Sequence, residues 1–96
     1  MSGYRLSPAA RADLEAIWTF GEEGWGADQA ELYIRRIQRA VETVASDPRR
    51  GRPCEDIRPG YFRFAVGTHM LFFRRDVDVI EIVRILHQRM DFDGHL

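Results

Sequence analysis

The stretch YFRFAVGTHMLFFRRDVDVIEIVRILH, residues 61–87, decides the fold. It is rich in aromatic and β-branched residues, and Gly67-Thr68 and Asp76-Val77-Asp78 divide it into Tyr61–Val66, His69–Arg75 and Val79–His87. Runs of this composition, separated by short turn signals, read as an antiparallel meander of three strands. In strict alternation the last run places Val79, Val83 and Ile85 on one side and Ile80, Ile82 and Leu86 on the other, with only Glu81 and Arg84 as interruptions. A sheet covered on one face alternates to polar on the other. Both faces of this meander therefore require cover.

Upstream the period changes from 2 to 3.6. Tyr4–Leu6 is a short strand candidate, and Ser7-Pro8 reads as a helix N-cap followed by proline at the first helical position. Leu14, Ile17, Trp18 and Gly21 then recur at helical spacing, and the glycine-rich segment 21–26 is expected to break the helix. A second helix is expected from Ala27 to Ser46, where Ala30, Tyr33, Ile34, Ile37, Val41 and Val44 form one apolar stripe and Asp47-Pro48 ends it. So short a connection folds the two helices back as an antiparallel hairpin. Residues 48–60 hold three prolines and two glycines without apolar periodicity and read as a loop. The sum is an α+β fold: N-terminal strand, antiparallel helical hairpin, then a three-stranded antiparallel meander, in one domain spanning 1–96. The last residues, 88–96, hold few apolar groups and read as a short turn or loose tail.

Two helices cover one face of such a meander. Unless the tail or a second copy of the chain covers it, the second face is expected to expose an apolar patch flecked with arginine, and such a patch on a small protein marks a binding site. Its occupant would carry apolar anchors and acidic residues to meet Arg63, Arg74 and Arg84. The formal charge is −1, which gives no general attraction to nucleic acid, and no sequence-specific nucleic-acid binding is expected. The distribution is uneven: residues 1–48 carry five arginines against eight acids, whereas 49–75 carry seven arginines against Glu55 and Asp56 alone. All fourteen basic residues are arginine. The lone Cys54 has no disulfide partner and no companions for a zinc site, so neither a metal nor a cofactor is expected. The absence of an apolar leader or a long apolar run points to a cytoplasmic protein that engages no membrane.

The order of landmarks resembles the ParE branch of the RelE/ParE toxin superfamily. Tyr4-Arg5-Leu6-Ser7 leads to Ala12-Asp13-Leu14 and Ile17-Trp18, Trp25-Gly26 stands between the helices, and Pro48 precedes Gly51-Arg52-Pro53. Ile57-Arg58-Pro59-Gly60-Tyr61, Phe72-Phe73-Arg74 and the closing Ile82–Asp91 segment follow, so the resemblance spans nearly the whole chain. It implies the toxin of a type II toxin-antitoxin pair that inhibits DNA gyrase and is neutralised in a hetero-oligomer by a ParD-type antitoxin. The expected antitoxin contacts are Arg63, Phe73, Arg74 and Arg84. The expected gyrase contacts are Arg89, Met90, Asp91 and Phe92, in the loosely ordered tail.

The rival reading comes from the RelE-like branch, which cleaves messenger RNA on the ribosome. Such cleavage needs a proton donor or acceptor and cations on the transition-state phosphate. Arg63, Arg84 and His87 are the candidates for it. The chain has no lysine, and its tyrosines, Tyr4, Tyr33 and Tyr61, all lie far from the C-terminus, so catalysis is not the expected mode of action. His69 and His95 carry less signal still, and Trp18 and Trp25 read as core.

Overall fold

The computed structural model describes residues 3–96; Met1 and Ser2 lie outside the described residues. The chain runs β1 (Gly3–Leu6), α1 (Pro8–Trp25), α2 (Ala27–Ser46), a 3₁₀ turn at Pro48–Arg50, β2 (Arg52–Pro53), β3 (Tyr61–Val66), β4 (His69–Arg75), β5 (Val79–His87) and α3 (Phe92–His95). Strand, helical hairpin and meander stand where the sequence places them. The meander belongs to a larger five-stranded sheet of order β1-β5-β4-β3-β2, in which β1 runs parallel to β5 and the other pairings are antiparallel.

α1 starts where its signals predict: the Ser7 hydroxyl accepts the Ala10 N–H at 3.0 Å, and Pro8 follows. It does not break at residue 21. The helix continues to Trp25 and stops at Gly26, whose φ is +91°. A helical glycine costs only about 1 kcal/mol against alanine, and Gly21 is buried at the crossing with α2, beside Ala30. Tertiary contact outweighs the local propensity. The loop 48–60 likewise contains β2, which pairs Arg52 with Arg63 and Pro53 with Phe62.

The main core lies between the helices and one face of the sheet, where Ile37, Val41 and Val44 meet Leu71, Phe73, Ile80, Ile82 and Ile85. Each large apolar side chain fully buried here contributes roughly 1.5–3 kcal/mol. The expected strict alternation of β5 fails at one residue. Arg84 pairs with Phe72, yet Ile82 pairs with Phe73, so Val83 is an extra residue in a β-bulge. The bulge reverses the parity of the strand. Ile85 joins Ile80 and Ile82 on the helix side, while Leu86 turns to the far side.

The second face is not an exposed patch. Phe72, Leu86 and Cys54 are fully buried there, covered by Ile57, Tyr61 and Met70 and by Phe92 and Leu96 from the end of the chain. The C-terminal residues therefore dock. Phe92 meets the Phe72 ring edge-on at 4.8 Å, and an Arg58 guanidinium N–H is donated to the Leu96 carbonyl. Two aromatic or aliphatic side chains suffice because the face they close is small.

Candidate functional site

β1 ends at Leu6 and leaves the outer edge of β5 unpaired beyond Ile82. Side chains from the start of α1 close it. Ser7 Oγ donates to the Val83 carbonyl at 2.6 Å, and Asp13 Oδ2 accepts the Ile85 N–H at 2.9 Å. Asp13 also receives both arms of Arg84, Nε to Oδ2 and Nη2 to Oδ1, each at 2.8 Å, and Arg84 Nη1 reaches the His95 carbonyl at 3.0 Å. The hydrogen bonds to Asp13 hold the Arg84 pKa above its ordinary value. Arg84 is a structural latch joining β5, α1 and the C-terminal end.

Arg74 is also engaged. Its Nε donates to Glu81 at 2.9 Å, and Glu81 accepts in turn from Arg5, which pairs with Asp76 as well. This chain of ions crosses β4, β5 and β1 at the surface. Arg63 differs: it makes no ion pair among the described residues and lines a groove of about 430 Å³ with Arg50, Arg52, Phe64, Ala65 and Met70. Phe73 corrects the sequence reading. Its side chain is wholly inaccessible, stacked on Phe62 at 5.6 Å between centroids and facing the helices, which leaves it no surface for a partner.

The three residues suggested for RNA cleavage are not brought together. Arg63 and Arg84 flank Phe72 on one face, with Arg84 committed to Asp13, whereas His87 pairs with His69 on the helix face. There Tyr33 on α2 is hydrogen-bonded to His69 Nδ1 at 2.6 Å and accepts the Thr68 N–H at 3.1 Å. His87 stands edge-on to His69 at 5.3 Å, and its Nδ1 accepts the Arg89 N–H at 3.1 Å. Burial, then the neighbouring His87, lowers the His69 pKa. This is a hydrogen-bonded clasp between α2 and the end of the sheet.

Of the proposed gyrase contacts, Arg89, Met90 and Asp91 lie exposed in the turn after β5, and Phe92 is half-buried against Phe72. Cys54 is buried, and burial pushes its thiol pKa up, which makes it a poor nucleophile. No group of three or more His, Cys, Asp or Glu among the described residues is arranged to hold a metal.

One surface escaped the sequence reading. Where β1, α1 and α2 meet, Tyr4, Leu6, Leu14, Ile34 and Val41 line an apolar hollow of about 150 Å³. Leu14 and Ile34 also line a wider concavity of about 450 Å³ with Trp18, so the two form one apolar furrow along the hairpin. Trp18 is half-buried and Trp25 is 54% exposed, with Phe20 and Leu32 exposed nearby, so neither tryptophan is fully core. The signal was present in the breadth of the apolar stripe on the helices, wider than one packed face needs.

The fold agrees with what the chain is similar to. The model of the ParE toxin of type II toxin-antitoxin systems (parDE) matches residues 4–92. The chain belongs to the ParE toxin family. It is 51% identical to Toxin ParE1 of Mycobacterium tuberculosis, over 99% of this chain and 98% of that protein. Toxin ParE1 of Caulobacter vibrioides is 48% identical over 100% of this chain and 99% of its own length. Among solved structures, a chain of the chromosomal ParDE toxin-antitoxin system of P. aeruginosa superposes with a TM-score of 0.79 at 25% identity, covering 91% of this chain and 96% of that one. This ParE family member therefore carries its family's fold from β1 into α3.

Proposed function

We propose that this ParE toxin is neutralised in the cytoplasm by direct binding of a ParD-type antitoxin, as a hetero-oligomer, and that its target is DNA gyrase. The apolar furrow of Leu14, Trp18 and Ile34 is the observation that carries the antitoxin contact. It is open, apolar and placed along a helical hairpin, which suits the apolar side chains of an amphipathic partner segment. Arg74, at the rim of its ion network, and Arg63, unpaired among the described residues, are the cations available to acidic antitoxin residues. Arg84 must first release Asp13 and so contributes less. The gyrase assignment follows from the family resemblance, with the exposed turn Arg89–Asp91 as the candidate contact. That Arg63, Arg84 and His87 do not share a site supports action by binding over catalysis.

Two measurements test this reading. Trp18→Arg should weaken antitoxin binding at least tenfold, about 1.4 kcal/mol, with little change in melting temperature because Trp18 is only half-buried. A supercoiling assay with purified gyrase, run beside an RNA-cleavage assay, tests the target. Inhibition of supercoiling with intact RNA is expected. Cleaved RNA with unimpaired gyrase would overturn the assignment.

A further inference from the structure

The groove of Arg50, Arg52 and Arg63 is not explained by folding. Arg52 and Arg63 are directly opposed in the β2–β3 pairing, so their side chains share one face. Like charges in that position destabilise a sheet. Arg50 comes in from the 3₁₀ turn to the same groove. None of the three has an ion-pair partner among the described residues. The only acids between residues 49 and 75 are Glu55 and Asp56, and the Glu55 carboxylate faces the Gly60 N–H.

Three unneutralised guanidinium groups around one opening form an anion site, and the guanidinium fork fits phosphate oxygens bidentately. The groove is about 430 Å³ and opens on Ala65 and Met70, room for a backbone strand rather than for a single carboxylate. Pro53 stands beside Arg52 in the outermost strand and has no N–H to donate. An extended peptide therefore cannot zip onto this edge along β2. A ligand held by side-chain charge alone has no need of that edge.

We propose that the Arg50–Arg52–Arg63 groove binds the phosphodiester backbone of duplex DNA, without reading its sequence. The choice of DNA rests on the gyrase reading above, since a toxin seated on gyrase meets the DNA that gyrase holds. Phosphate contacts position a protein on a duplex, while sequence is read by other groups, and no base-reading helix accompanies this groove. The acidic body keeps the interaction weak and local. Binding would add DNA affinity to protein contacts made elsewhere on the toxin.

The test is fluorescence anisotropy of a labelled 20-bp duplex of arbitrary sequence, titrated at low salt with the full chain, without gyrase. Weak binding that ignores sequence is expected. With three phosphates neutralised, doubling the salt should weaken it about sixfold. The triple variant R50A/R52A/R63A should bind at least tenfold more weakly, while R50K/R52K/R63K retains most of the binding and the steep salt dependence. Melting temperature of the alanine variant should stay near that of the parent. No binding by the parent at low salt overturns the proposal, as does unchanged binding by the alanine variant. Loss of antitoxin affinity in that variant, with no DNA binding by the parent, would assign the groove to an acidic antitoxin segment instead. Failure of gyrase inhibition is a separate result, because gyrase is absent from this assay.

Discussion

Asp13 holds Arg84 through both carboxylate oxygens, each at 2.8 Å, and with Oδ2 also closes the open edge of β5 at the Ile85 N–H. One side chain near the start of the chain thus satisfies a strand edge and a cation near its end. Both partners are largely shielded, with side-chain exposures of 14% and 22%. Asp13→Ala would leave an unpaired guanidinium and an unsatisfied N–H, at a cost of about 2–3 kcal/mol. In a domain of this size the melting temperature should fall by roughly 10–20 °C. A change below about 2 °C in a calorimetric scan would show that the latch is ornamental.

Gly51 is buried under the Phe73 ring, and a Cβ built there would lie 2.4 Å from Phe73 Cζ. Phe73 is itself packed on Phe62 and has no space into which to move. Gly51→Ala should therefore destabilise by about 1–3 kcal/mol through overpacking. Urea titration measures it. Equal midpoints for variant and parent would mean that the 3₁₀ turn shifts freely.

His69 is a pH-sensitive point in the fold. Its folded pKa is lowered from the ordinary 6.5 by burial and then by His87, while a carboxylate, Asp13, acts in the opposite sense. The folded state binds fewer protons than the unfolded state below that value. The contribution is therefore complete above pH 6.5 and is lost as pH falls toward the folded pKa. Protonation also fixes a hydrogen on Nδ1, facing the Tyr33 hydroxyl 2.6 Å away. Unfolding free energy measured by denaturant at pH 7.5 and 5.5 should drop, and His69→Phe should flatten that drop. An equal slope in both proteins would remove His69 as its source.

The C-terminal end has two separable roles. Phe92→Ala uncovers Phe72 and Leu86 and should cost about 1–3 kcal/mol, less than a fully buried phenylalanine because Phe92 is half-exposed. Arg89→Ala and Asp91→Ala lie in the exposed turn and should change stability by under about 0.5 kcal/mol. If the turn touches gyrase, these two variants lose gyrase inhibition while folding normally. Truncation after Gln88 is a poor probe, since it removes the cover of the second face together with the turn.

The sequence by itself determined β1, the start of α1, α2 and the three meander strands. The Ser7-Pro8 start, the apolar stripe from Ala30 to Val44 and the aromatic runs after Gly60 are local signals, set by backbone geometry and side-chain period, and each element stands where they put it. The order of landmarks also carried the family. Tertiary structure alone decided which neighbour of a pair is buried where. Phe72 and Phe73 are chemically identical, yet one faces the docked C-terminal end and the other the helices. The bulge at Val83, which no composition announces, sends Ile85 and Leu86 to opposite faces. Charge followed the same rule: Arg63, Arg74 and Arg84 look alike in the sequence, but two are paired by carboxylates 7 and 71 residues away and one is left without an ion pair among the described residues. Local pattern fixes dihedral angles and amphipathic faces, whereas pairing register and long-range ion pairs depend on contacts between segments that sequence spacing does not encode.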